Sequence, residues 1–237
     1  MNQSWSIIIL CYNEGKTISD VICKIKLFIS ENNITESEIL VVDDGSDDET
    51  EIIIADLVKS SDNLKYIRHP ENLGIGSALL SGYRNSYKEN VIAVPGDGQF
   101  DVNELSPYIN FSDKHFISFY RSDTKQYSAY RKAVSGMNKL LNKYLLSLNV
   151  KDINWVKAYK SVDLKNIDLK LGSSLVATEI CAKLHLKGYR SIEAESVYHE
   201  RIAGTARGAS LRTVAQAVKD LAGLFKEIRR FNKINRN

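Results

Sequence analysis

Two rhythms of apolar residues alternate along the first part of the chain. Ser6-Ile-Ile-Ile-Leu10, Ile39–Val42, Leu64–Ile67 and Val91–Val94 are short apolar runs bounded by turn residues, which predicts four buried strands. Between them the apolar positions recur at three- and four-residue steps. Ile18, Val21, Ile22, Ile25, Phe28 and Ile29 predict a helix from Lys16 to Ser30. Ser46 followed by Glu49 reads as a capping box for a second helix ending near Val58, and Asn72-Leu-Gly-Ile-Gly76 opens a third, Ser77 to Tyr87. Strand and helix alternating in this way predict an α/β fold, a mostly parallel sheet with helices on both faces.

The second half is less regular. A strand is expected over Phe116–Phe119, a helix over Ala129–Leu148, a strand within Ile153–Tyr159, a helix over Ser174–Lys187 and a β-hairpin through Tyr189–Tyr198. The last helix, Leu211 to Phe231, carries Leu211, Val214, Val218, Leu221, Phe225 and Ile228 at helical spacing. The expected division is a domain over 1–207 followed by a basic amphipathic helix over 208–237 that packs on it or continues it.

Each early strand ends in a polar turn: Tyr12-Asn13-Glu14, Asp43-Asp44 and Asp97-Gly-Gln99. Parallel strands bring such turns to one edge, where open α/β sheets take their ligands. Asp97 and Gln99 offer two hard oxygen donors suited to Mg²⁺ or Mn²⁺. Pro95 lacks an N–H and is expected to stop the strand ladder, and Gly96 and Gly98 permit the tight turn.

Composition narrows the picture. Forty-three per cent of the 237 residues are hydrophobic, which excludes a disordered chain. No apolar run approaches the ~18 residues needed to span a bilayer, and no basic segment precedes the first apolar run as in a signal peptide. Cys11, Cys23 and Cys181 lack metal-ligand spacing, so a reducing, cytoplasmic setting is expected. Net charge is only +3, but nine Lys or Arg from Arg201 onward face only Asp220 and Glu227. Such a tail suits a solvated helix face or an anionic surface, with peripheral membrane contact, a second copy of the chain and its own domain all open as partners. No aromatic interleaving supports nucleic acid as a partner.

Cys11-Tyr-Asn-Glu14, Val41-Val-Asp-Asp-Gly-Ser46, Asn72-Leu-Gly-Ile-Gly76 and Asp97-Gly-Gln99 together resemble the successive motifs of GT-A, family 2 glycosyltransferases, nearest to the dolichyl- or polyprenyl-phosphate branch. The resemblance runs from about Ser6 to Arg207 and implies inverting transfer from a UDP- or GDP-sugar to a lipid phosphate or a glycan. It implies that Tyr12, Glu14, Asp44 and Gly74 meet the nucleotide. It further implies that Asp97 and Gln99 hold the metal, with Asp97 and Arg201 serving the departing diphosphate. Arg121, Arg131 and Ser135 would bind the acceptor phosphate, and Glu179 would be the base if the acceptor is a hydroxyl. Arg207 stands where the family has Lys.

Three positions depart from the pattern. Leu10 replaces a usual Pro, Pro95 replaces the first carboxylate of Asp-x-Asp, and Trp155 lies near a position where Gly is usual. The loss at Pro95 leaves open a catalytically impaired relative that binds nucleotide-sugar or serves as a partner subunit. A sugar nucleotidyltransferase is disfavoured because Cys11-Tyr-Asn-Glu-Gly15 is no basic, glycine-rich phosphate loop. A phosphoacceptor domain is disfavoured because its acidic pair would follow the first strand, not the second.

Overall fold

The computed structural model describes residues 3–122, 148, 150–199 and 211–235, with side chains of the last segment described for 219–234. The strands are β1 Trp5–Cys11, β2 Ser37–Asp43, β3 Leu64–Arg68, β4 Asn90–Pro95, β5 His115–Arg121, β6 Lys157–Lys160 and β7 Arg190–Ser196. The helices are α1 Ile18–Glu31, α2 Thr50–Lys59, α3 Ile75–Arg84, α4 Ser161–Lys165, α5 Val176–Leu186 and α6 Leu211–Asn235, with a 3₁₀ helix at Val102–Tyr108. Among the described residues the strands form one sheet in the order β3-β2-β1-β4-β6-β5-β7, parallel except for β6. This is the expected α/β architecture, a mostly parallel sheet.

Strand β1 shows why the sheet must be covered twice. Trp5, Ile7, Ile9 and Cys11 turn to one face, where they pack with Ile18, Ile22 and Ile25 of α1 and Ile54 of α2. Ile8 turns to the other, with Ala78 of α3 and Val176 and Ile180 of α5. Alternation along a strand sends successive side chains to opposite faces, so an unbroken apolar run has to be buried on both.

Two expectations are corrected. The segment Tyr189–Tyr198 is a single strand, β7, lying parallel to β5 from His115↔Arg190 to Arg121↔Ser196. Its middle, Ser191 to Glu195, offers no Gly, Asn, Asp or Pro to turn a hairpin. The chain reverses earlier, at Gly188, where φ is +83°.

The capping box is also absent. Helix α2 begins at Thr50 with no side-chain bond from its cap. The Ser46 hydroxyl is occupied elsewhere, donating to Asp43 and accepting the Asn13 N–H. Asp48 takes over, with Oδ1 accepting the Thr50 N–H at 3.0 Å and Oδ2 the Gly15 N–H at 3.1 Å.

Pro95 ends β4, as expected of a residue without an N–H. Its pair with Leu10 is the last of the β1–β4 register, and Gly96 just beyond it donates its N–H to the Leu10 carbonyl at 2.8 Å. The helix expected over Ala129–Leu148 lies almost entirely outside the described residues.

Candidate active site

Parallel register gathers the three polar turns at one sheet edge. Cys11 pairs with Asp43 and Leu10 with Pro95, so the segments that follow leave the sheet side by side. They are laced together: Asp44 N–H donates to the Cys11 carbonyl at 2.9 Å, and the Thr17 hydroxyl donates to the Gly96 carbonyl at 2.8 Å. The structure thus brings Tyr12, Glu14, Asp44, Asp97 and Gln99 to one place, with Glu14, Asp44, Asp97 and Gln99 all buried.

Asp44 is the hub of this cluster. Its Oδ1 accepts His69 Nδ1 at 2.7 Å and the Leu73 N–H at 3.0 Å, and its Oδ2 accepts the Gly74 N–H at 2.7 Å. One carboxylate therefore fixes the Asn72–Gly76 loop. The approach is possible because Gly45 has φ +75°, and a β-carbon there would lie 2.5 Å from the Glu71 carbonyl carbon. Asp43 beside it is fully buried and closes its own turn, accepting the Ser46 N–H at 2.9 Å and the Tyr66 hydroxyl at 2.9 Å. Burial, joined by the charges of Asp43, Glu14, Asp48 and Asp44, pushes the Cys11 thiol well above its ordinary value, so Cys11 is a packing group and no nucleophile.

On the β4 side, Asp97 Oδ1 accepts the Gln99 N–H at 3.0 Å. Gln99 Nε2 donates to the Tyr198 hydroxyl at 2.6 Å and to the His199 carbonyl at 3.2 Å. A carbonyl can only accept, which fixes the amide nitrogen on that side and turns Oε1 away from it. Behind Gln99 stands an aromatic wall. The Trp155 ring lies 6.0 Å from Tyr198 and 6.2 Å from Phe100, and its Nε1–H donates to the Ser196 hydroxyl at 3.0 Å. Arg121 stacks on Trp155 at 4.5 Å and gives Nε and Nη2 to Asp152 at 2.8 and 3.2 Å.

Burial alone would raise the Asp152 carboxyl, but the Arg121 bonds and charge hold it below its ordinary value. Lys157, also buried, caps the carbonyls of Asp152, Ile153 and Trp155 at 2.8, 2.9 and 3.2 Å. Burial lowers its pKa, since an ammonium out of water is disfavoured.

Several assigned residues sit differently from expectation. Arg121 commits its fork to Asp152, with its side chain only 11% exposed. Glu179, the candidate base for a hydroxyl acceptor, is fully buried. Its oxygens accept Lys183 Nζ at 2.7 Å, the Lys170 N–H at 3.0 and 3.2 Å, and the Leu171 N–H at 2.9 Å. It ties the Lys170–Leu171 segment to α5. The adjoining Gly172 and Ser173 carbonyls lie so close over Gly76 that a β-carbon there would sit 2.1 Å from the Ser173 oxygen. Arg131, Ser135, Arg201 and Arg207 lie outside the described residues.

Sequence reasoning missed Tyr198 and Lys157 altogether. Trp155 had signalled itself only as a departure from pattern. A lysine in a four-residue strand reads as exposed, and nothing local reveals that three carbonyls will converge on it.

Residues 6–154 match the family model described as Glycosyl transferase family 2. The chain belongs to that family. Among curated proteins it is similar to a dolichyl-phosphate beta-glucosyltransferase of Trichomonas vaginalis, 29% identical over 102 residues, which are 41% of this chain and 30% of that protein. It is also similar to a poly-beta-1,6-N-acetyl-D-glucosamine synthase of Staphylococcus aureus, 23% identical over 77% of this chain and 46% of that one. The matches thus span less than half the length of these relatives.

Among solved structures, glucosyl-3-phosphoglycerate synthase of Mycobacterium tuberculosis, in complex with Mn²⁺, UDP-glucose and phosphoglyceric acid, aligns with TM-score 0.65 at 14% identity. The alignment covers 95% of this chain and 79% of that one. A mannosyltransferase of Pyrobaculum calidifontis, in complex with GDP-mannose and Mn²⁺, aligns with TM-score 0.62 at 17% identity, covering 93% and 65%. At such identities the likeness is one of fold.

Proposed function

We propose that the protein transfers a sugar, with inversion, from a nucleoside-diphosphate sugar to a phosphate acceptor of the polyprenyl-phosphate class. The observation that carries this reading is the convergence of the Tyr12–Glu14, Asp43–Gly45 and Asp97–Gln99 turns at one sheet edge in a family 2 chain. Glu14 and Asp44 supply carboxylate oxygens of the kind that receive base N–H and ribose hydroxyl donors. Asp44 also shapes the Gly74 loop against which the nucleotide lies.

Asp97 and Gln99 fit a divalent ion shared with the donor's diphosphate, rather than one caged by protein alone. Among the described residues there is no cluster of three or more His, Cys, Asp or Glu able to hold a metal. Mg²⁺ and Mn²⁺ take one or two protein oxygens and complete their shells from phosphates and water. When bound, such an ion neutralises charge on the leaving diphosphate.

Glu179 is what favours a phosphate acceptor over a hydroxyl. Its oxygens are spent on Lys183, Lys170 and Leu171, so the base candidate is engaged in the interior. An acceptor phosphate is already ionised near pH 7 and needs positioning more than proton removal. Its oxygen forms the new bond to the anomeric carbon as the bond to the nucleoside diphosphate breaks, giving a glycosyl phosphodiester and a nucleoside diphosphate. Pro95, which contributes no ligand, supports the second reading of a nucleotide-sugar-binding protein without turnover.

The test is a melting-temperature panel of UDP- and GDP-sugars with Mn²⁺, Mg²⁺ or EDTA, followed by product analysis with a polyprenyl phosphate. A metal-dependent stabilisation by one donor, with product that Asp97→Asn reduces at least ~100-fold, is expected. Wild-type turnover by Asp97→Asn would overturn the site. Donor binding without product from any acceptor would establish the second reading.

A further inference from the structure

We propose that the outward face of α6 docks on anionic lipid headgroups. The helix has two uses for its two faces. Inward, Leu224 is buried, Ile228 and Phe231 pack on the second apolar core, and Glu227 accepts Lys183 Nζ at 2.9 Å. The Lys183 ammonium also lies 5.2 Å from the Phe231 ring centre. Among the described residues of the helix, the apolar side chains Leu224, Ile228 and Phe231 are therefore already spent on the protein's own domain.

What remains outward is cationic. Lys219, Lys226, Arg229 and Lys233 are all exposed. At ~100° and ~1.5 Å per residue they fall within about 80° of arc along roughly 21 Å of helix. Glu227 is turned inward, and Arg230 reaches it with Nε at 3.0 Å, so neither dilutes the stripe. Lys226–Arg229 and Arg229–Lys233 are like-charge neighbours at three and four residues, an arrangement that destabilises an isolated helix. A polyanion on this face would remove that repulsion.

The rest of the face favours a flat lipid layer. Ala222 is exposed among the cations, allowing close approach, and Gly223 and Ile234, the latter 65% exposed, flank the stripe. Phe225 is half-buried, and the fully exposed positions of the described helix carry no aromatic ring on which a base could stack. A helix lying along a membrane presents its cations to headgroups in this manner. Because Leu224, Ile228 and Phe231 are turned into the domain, the contact along this stretch is electrostatic and stays at headgroup depth. The inference stands on charge placement and does not depend on the acceptor of sugar transfer.

Co-sedimentation of the full chain with phosphatidylcholine vesicles, with and without phosphatidylglycerol, tests it. Binding is expected only with phosphatidylglycerol and should fall as salt is raised. Each cation is worth roughly fivefold in partition, so the triple variant Lys226→Gln/Arg229→Gln/Lys233→Gln should bind ~100-fold more weakly. These side chains are exposed, so melting temperature should be unchanged; the corresponding Ala set serves if the Gln set fails to fold. No binding to phosphatidylglycerol vesicles, or binding that the triple variant retains, overturns the proposal. Tighter binding to a duplex oligonucleotide than to the vesicles also overturns it.

Discussion

The two halves of the molecule bury charge in opposite ways. From β1 to β4 the buried charges are carboxylates, and they are met largely by N–H groups and hydroxyls. Asp43 accepts from Ser46 and Tyr66, Asp44 from Leu73, Gly74 and His69, and Glu38 from Ser6 and the Tyr87 N–H. From β5 onward three buried lysines dominate, and they are met by oxygens; Lys160 meets the Gln3 amide oxygen and the Glu89 carboxylate. Lys157 caps three carbonyls, and Lys183 meets the Asp168 carbonyl and the carboxylates of Glu179 and Glu227.

The difference follows from chain geometry. Strand-to-helix turns at the carboxyl edge present unpaired helix-start N–H groups, which call for acids. The irregular segments around β6 and α5 present carbonyls, which call for ammonium groups. The first arrangement shapes the carboxyl edge of the sheet. The second holds irregular backbone in place behind it.

Breaking the second arrangement should have the larger effect. In Lys183→Met the Glu179 and Glu227 carboxylates lose the ammonium between them, and the Asp168 carbonyl loses its donor. Removing one partner of a buried ion pair costs about 3–5 kcal/mol, which urea denaturation should read as a lowered midpoint with an unchanged slope. Replacing the pair together, Lys183→Met with Glu179→Met, should recover part of that loss, because apolar replacement of a whole buried pair is often near neutral. A loss under ~1 kcal/mol for Lys183→Met would put this network on a par with a surface ion pair.

This contrast also explains what could be read from the sequence. Ser6–Leu10, Ile39–Val42 and Val91–Val94 were legible as strands because each is apolar throughout, and the turns beyond them could be placed at one edge because parallel strands leave no other choice. Tyr12, Asp44, Asp97 and Gln99 follow from that. What was illegible depended on distant backbone. Ser46 looks like a helix cap until Asp43 and Asn13 claim its hydroxyl. Glu179 looks like a helix-surface acid or a base until Lys170 and Leu171 fold back onto it. Lys157 looks exposed until the carbonyls around Asp152 arrive. β7 reads as half of a hairpin because its partner, β5, is more than 60 residues earlier.

A smaller effect is expected from weakening the first arrangement at its hub. Asp44→Asn keeps the shape but turns an NH₂ group toward one of three donors, His69, Leu73 or Gly74. Hydrogen bonds to a charged acceptor are worth about 1.5–3 kcal/mol, and the substitution loses the charge and at least one bond, so a destabilisation of about 2 kcal/mol is expected in the absence of any nucleotide. An unchanged unfolding midpoint would assign Asp44 to ligand contact alone.

The mildest perturbation is protonation, and it probes both halves at once. Burial by itself would raise the Glu38 carboxyl, but Lys65, Ser6 and the Tyr87 N–H hold it below its ordinary 4.5. Arg121 does the same for Asp152 against an ordinary 3.8. A carboxyl lowered by folding contributes stability that is complete above its ordinary value and is lost as the pH falls through the folded value. Stability should therefore hold level down to about pH 4.5 and decline below it.

The chain has two tryptophans, one in each region: Trp5, fully buried with Nε1–H on the Ile109 carbonyl at 3.2 Å, and Trp155, stacked on Arg121. Trp5→Phe and Trp155→Phe variants each leave one reporter. Because β4 and β6 are hydrogen-bonded neighbours and join the halves into one sheet, the two acid transitions should coincide. Separate midpoints for the two reporters would show that the sheet parts between β4 and β6 and that the two modes of burying charge belong to separately cooperative units.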